Sequence, residues 1–276
     1  MVPSLTTGGF FSGAVDPPDV SATDDPPDVS TTDPVRTLAG AVPDPAQAVL
    51  SAVLLSALGL GGGSLLVAAL FAAGLELAVL PETVLRVLLL QGLTFGGVAA
   101  VYLRFRGLSL EYVGVRRPDL EGWIYAGAGY VLALVGAVSV LFIVVFLLGL
   151  NPAQNQAAEL GREDPRVFLA LFVLAVTVIG PGEELLFRGV IQSRLRETFS
   201  ALVGIGLATA VFAVAHAPGL AGPTSGVALT VTLLFFPALV FAVVYERTGN
   251  VVVPAAAHGL YNATLFGLAY VSAVAG

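Results

Sequence analysis

Seven long apolar runs separated by short polar stretches fill residues 46–274, and each is matched in length to the ~20 residues a helix needs to cross a bilayer. The runs are 46–75, 84–103, 122–150, 167–190, 201–217, 226–245 and 251–274. In lipid every backbone polar group must be satisfied within its own segment or by a closed barrel. Runs of this length read as helices, so the expected fold is an all-α polytopic transmembrane bundle of about seven spans, with six or eight as alternatives. Composition agrees: 57% of residues are hydrophobic, 11% are charged, and the mean hydropathy is +0.91. A soluble domain needs more polar surface than that. No repeat is evident among the runs.

Residues 1–44 differ in kind. The pentapeptide DPPDV at 16–20 recurs at 25–29 among Ser, Thr and Pro, and seven aspartates face one arginine. With so little to bury, this segment is expected to be a disordered acidic tail. The basic residues are all arginines, and with seven spans most of them fall on one side: Arg104, Arg106, Arg116, Arg117, Arg194, Arg196 and Arg247. Arg86, Arg162 and Arg166 fall on the other. The positive-inside rule then places the amino terminus in the cytoplasm of a multi-pass protein of the cell membrane. Without a dense basic patch to neutralise phosphates, nucleic-acid binding is not expected. The chain has no cysteine, which removes disulfides, thiolate metal sites and a cysteine nucleophile.

Charge inside the apolar runs is the pointer to function, because an ionisable side chain in lipid must be paired, hydrated or at work. Glu183 and Glu184 lie side by side in the fourth run, and Arg188 follows Glu184 by four, the spacing of a pair on one helical face. Glu183 points about 100° away from Glu184 and is the acid left unpaired. Gly180-Pro181-Gly182 just before it is expected to interrupt the helix. Phe212 and His216 share a face of the fifth run, as do His258 and Asn262 of the seventh. A carboxylate, two imidazoles and an amide from three helices can thus converge around one water. Alone, each histidine reads as a helix-to-helix hydrogen-bonding residue; together with the paired acids they read as a site.

The order Glu-Glu-x-x-x-Arg, Phe-x-x-x-His, His-x-x-x-Asn on successive motif-bearing helices resembles the CPBP family of intramembrane proteases, which includes CAAX prenyl endopeptidases of the Rce1 type and bacteriocin-immunity relatives. The resemblance covers about 165–276. It divides the membrane part into amino-terminal helices at 45–160 and a catalytic core at 161–276. It implies an endopeptidase acting on a membrane-associated or prenylated protein. Glu183 would activate a water that His216 helps to hold, His258 and Asn262 would orient the scissile carbonyl and stabilise the oxyanion, and Glu184, Arg188 and Phe212 would support them. No cofactor is then needed. The alternative is zinc, held by Glu183, His216 and His258 with an open water position; the metal-free form is preferred because no separate carboxylate is then obvious as base, although Glu184 could serve. From other classes come an ion- or proton-coupled transporter, which would use the same residues as a relay, and a non-catalytic immunity or scaffold protein.

Overall fold

The structure, a computed structural model, describes residues 44–275. The expected acidic tail therefore lies, except for Asp44, outside the described residues. Helices dominate: α1 (Asp44–Ala72), α2 (Val79–Arg106), α3 (Leu120–Leu147), a short α4 (Gln156–Glu163), α5 (Arg166–Arg196), α6 (Ala201–Ala215), α7 (Thr224–Thr248) and α8 (Val252–Ala275). Among the described residues six helices, α1 to α3 and α5 to α7, are long and apolar enough to span a membrane. The seventh expected span, α8, has the length at 24 residues. Its apolarity is diluted by His258, Tyr261 and Asn262, the price of carrying polar groups of the bundle core. The protein is an integral membrane protein, and the large side chains left outward, such as Leu65, Phe105 and Leu202, belong to helix faces turned to lipid.

Two small elements lie outside the sequence reading. Helix α4 is too polar and short to register between hydrophobic runs; Asn155 caps it by accepting from the Ala157 amide at 2.8 Å, and Gly161 lets it settle on the Phe168 ring. Residues Gln154–Asn155 (β1) pair antiparallel with Leu220–Ala221 (β2), tying the segment after α3 to the α6–α7 connection.

Buried aromatic and aliphatic clusters organise the bundle. Phe95, Phe187, Phe212 and Leu186 join α1, α2, α5 and α6, with edge-to-face contacts at 5.8 Å (Phe95–Phe187) and 5.0 Å (Phe187–Phe212). Phe241, Val253, Ala257 and Tyr261 join α7 and α8 to α3. Val87, Val167, Leu171 and Ile179 join α2 to α5.

Helices α5 and α7 run parallel in a register that side chains spell out at four-residue steps. Arg188 Nη2 donates to the Ala238 carbonyl at 3.2 Å, Gln192 Nε2 to the Ala242 carbonyl at 3.0 Å, and Arg196 Nε to Glu246 at 2.9 Å. At the arginine-rich end Glu197 accepts from Tyr112 at 2.6 Å and pairs with Arg106 and Arg194, each at 3.2 Å. Burial first, and then this bond to a carboxylate, push the Tyr112 phenol well above its ordinary range, so it stays a donor.

Glycines let α5 and α8 touch. A Cβ on Gly180 would sit 2.8 Å from the Ala255 carbonyl, and one on Gly259 would sit 2.9 Å from the Ala175 carbonyl and from Val176 Cα. Both obstacles are backbone, so the helices themselves would have to separate. Gly259→Ala is therefore expected to destabilise the protein by about 1–3 kcal/mol and to slow any reaction that needs α5 and α8 in register. Unfolding in detergent titration, compared with Gly97→Ala, whose Cβ would meet nothing within 4 Å, checks this; equal midpoints would contradict it.

The expected helix break at Gly180-Pro181-Gly182 is not found. Helix α5 continues through it, with π-helical turns over Ala175–Ile179 and Leu185–Gln192 on either side. The wider turns absorb the missing proline N–H, as π-bulges do at many functional sites. Gly182 serves a different purpose from a hinge: a Cβ there would run into the carbonyl of Gln91, so it admits α2.

Candidate active site

The site forms where α5, α6 and α8 meet between the first two clusters. Glu183 and Glu184 are both buried, and successive positions on the helix aim them differently. Glu184 faces Arg188, whose Nε lies 3.3 Å from its Oε2, with both side chains at 0% exposure. Neither Glu184 Oε2 nor Arg188 Nε has an aligned hydrogen bond, so the attraction there is Coulombic. The guanidinium is held further by the Ala238 carbonyl and by the Phe212 ring, 4.5 Å from its carbon.

Glu183 turns to the histidines. Its Oε2 stands 3.8 Å from His216 Nε2 and 3.9 Å from His258 Nε2, and it has no hydrogen-bond partner. These separations exceed a direct bond and are the distance at which a bridging water is to be asked for.

Each imidazole has its other nitrogen committed. His216 closes the C-terminal end of α6 and lies 2.8 Å through Nδ1 from the Phe212 carbonyl, which only accepts, so Nδ1 is the donor there and Nε2 faces Glu183. His258 Nδ1 is 2.8 Å from Glu184 Oε1, which leaves its Nε2 on the side of Glu183 and Asn262. Its Nε2 accepts from Asn262 Nδ2 at 3.0 Å. The His216 side chain keeps 28% exposure, against 8% for Glu183 and 5% for His258, so the cluster is open at His216.

The sequence placed His216 about 22 Å and His258 about 10 Å from the arginine-rich ends of their helices, an offset that had to be made up. Helix α5 does extend through Arg194 and Arg196 at 31 residues. Helix α6 reaches His216 after 15 residues, about 22 Å along its axis, and a 3-10 turn at Ala217–Gly219 completes the span. His216 therefore lies near the far end of its span.

All seven residues singled out in the sequence, Glu183, Glu184, Arg188, Phe212, His216, His258 and Asn262, thus belong to one connected cluster. Two features were missed. Glu184 bonds His258 as well as facing Arg188, a link across helices that spacing within one helix does not reveal. Phe241 of α7 stacks flat on His258, centroids 4.8 Å apart at 19°, while Phe212 meets the same ring edge-on at 5.9 Å. Nothing in an apolar run marks one phenylalanine as different. Phe241→Leu should cost about 0.5–1.5 kcal/mol of stacking and loosen His258, read as broadening of its ring resonances in the NMR spectrum; unchanged resonances would contradict the assignment.

The fold and these side chains define an integral membrane protein with a buried cluster of carboxylates and imidazoles in its helical core. Residues 165–264 match the sequence profile of the family described as type II CAAX prenyl endopeptidase Rce1-like, which supports the CAAX protease family. No curated protein and no solved structure matches the chain. The family is one of CAAX-protease-type intramembrane endopeptidases.

Proposed function

We propose that the protein is an intramembrane endopeptidase that hydrolyses a peptide bond of a membrane-associated or prenylated protein, with Glu183 as the base. The observation that carries this reading is the approach of one unpartnered, buried carboxylate oxygen to two imidazole nitrogens from separate helices, at 3.8 and 3.9 Å. A water between them donates one hydrogen to Glu183 Oε2 and the other to His216 Nε2. As its oxygen attacks the carbonyl carbon, Glu183 takes the proton. The oxyanion is stabilised by the second Nδ2 hydrogen of Asn262. When the C–N bond breaks, Glu183 returns the proton to the amine. His258 thus holds Asn262 in place, and Glu184 holds His258.

A zinc ion at Glu183, His216 and His258 needs the lone pair of all three groups. Asn262 Nδ2 lies 3.0 Å from His258 Nε2 and engages that lone pair, which favours a reaction carried by side chains alone. Cleavage is expected to survive dialysis against a chelator, with less than one metal per chain by elemental analysis; loss on chelation restored by zinc would overturn this.

By the positive-inside rule we read the arginine-rich end, and with it the amino terminus, as facing the cytoplasm from the cell membrane. The decisive experiment uses purified protein in liposomes with a lipid-anchored reporter peptide in ¹⁸O-water. One ¹⁸O in the new carboxyl group is expected. No cleavage, together with ion flux that depends on Glu183, would instead make the protein a transporter.

A further inference from the structure

We propose that a cavity at the arginine-rich end, enclosed by the loop before α3, the first turn of α3 and the α7–α8 turn, binds a phosphate-bearing anion. It has a volume of about 200 Å³ and is lined by Arg116, Arg117 and Arg247 among others. This site lies apart from the Glu183 cluster and does not depend on the proteolytic reading.

Three guanidinium groups on one concavity repel each other until an anion enters, and here their own carboxylates do not fully neutralise them. Arg116 is held by a backbone carbonyl, its Nη2 donating to Thr248 at 2.7 Å. Among the described residues neither Arg117 nor Arg247 forms an ion pair. Two acids also line the cavity. Asp119, which also caps α3 by accepting from the Gly122 amide at 2.8 Å, and Glu121 offset two of the three cations and leave the lining with an excess of one positive charge. The walls are braced: Asn250, buried, donates to the Arg116 carbonyl at 3.1 Å and accepts from the Val252 amide at 3.1 Å. Planar guanidinium forks brought to one braced backbone concavity suit the oxygens of a phosphate, which they engage two at a time.

The position suggests where the phosphate comes from. The cavity opens at the head of a membrane span, beside exposed Leu120 and Trp123, at the level where an interfacial aromatic sits among headgroups. Basic pockets between transmembrane helices at such a level hold anionic lipid headgroups. Free phosphate carries the same chemistry.

Native mass spectrometry of the full chain in detergent micelles, titrated with phosphatidylglycerol, phosphatidylcholine or inorganic phosphate, tests the proposal. One tightly held phosphatidylglycerol per chain is expected, weakened about tenfold or more by Arg117→Gln with Arg247→Gln, which removes two charge-assisted contacts. Arg104→Gln, an exposed arginine at the same end but off the cavity, should leave binding unchanged. Lipid that resists displacement by inorganic phosphate identifies a headgroup site. Phosphate that fills the site alone, and is lost in the double variant, identifies a free-phosphate site. Equal binding by wild type and double variant, or an equal loss in Arg104→Gln, would overturn the cavity as the binding site.

Discussion

Glu183→Gln is expected to slow cleavage of a lipid-anchored reporter by about 10²–10⁴-fold, the range for removal of a general base, with the fold intact. Glutamine keeps the shape and loses only the ability to take a proton. Because Glu183 Oε2 has no hydrogen-bond partner in the protein, the substitution breaks no internal bond. The unfolding midpoint should therefore hold or rise slightly, since a buried charge has been removed. Rate and midpoint measured on the same preparation separate the two effects. A cleavage rate within a few-fold of wild type would take Glu183 out of the reaction.

The largest stability effect is expected at Arg188. Arg188→Met removes a guanidinium at 0% exposure and leaves Glu184, equally buried, without its counter-charge. Breaking a buried pair from one side costs about 3–5 kcal/mol, because the remaining charge has no solvent to turn to. The loss extends to the Ala238 carbonyl and the Phe212 ring, both of which lean on the same group. Replacing both partners, Glu184→Gln with Arg188→Met, should recover most of that loss, as neutral replacements of buried pairs do. Unfolding of the three forms in a denaturing-detergent titration checks this. Should the double variant be less stable than Arg188→Met alone, the charge left on Glu184 would not be what destabilises the single variant.

The bundle was legible because hydrophobic length is a signal each helix carries by itself. The site residues were legible for the same local reason: charge is rare in these runs, and the i, i+4 spacings of Glu184–Arg188, Phe212–His216 and His258–Asn262 lie within single helices. What crosses between helices was not. The Glu184–His258 bond, the Phe241 stack and the 188/192/196 to 238/242/246 register depend on packing that no one segment encodes. The misread at Pro181 has a similar origin. Proline removes an α-helical bond wherever it falls, but here π-helical turns flank it and the helix continues, with Gln91 and Gly259 packed close against this stretch. The α8 span was legible by length and weak by hydropathy, because its polar residues face other helices rather than lipid.

The most direct test of the central claim, that a carboxylate and an imidazole from separate helices act on one water, is a double-mutant cycle between Glu183 and His216. Cleavage of the reporter would be timed for wild type, Glu183→Gln, His216→Ala and the double variant. Residues acting as one unit lose their effect together, so the double variant should be no slower than the slower single one. Losses that multiply, each substitution costing its full factor in the presence of the other, would mean that the two groups act independently and that the shared site at 3.8 Å is not where the chemistry happens.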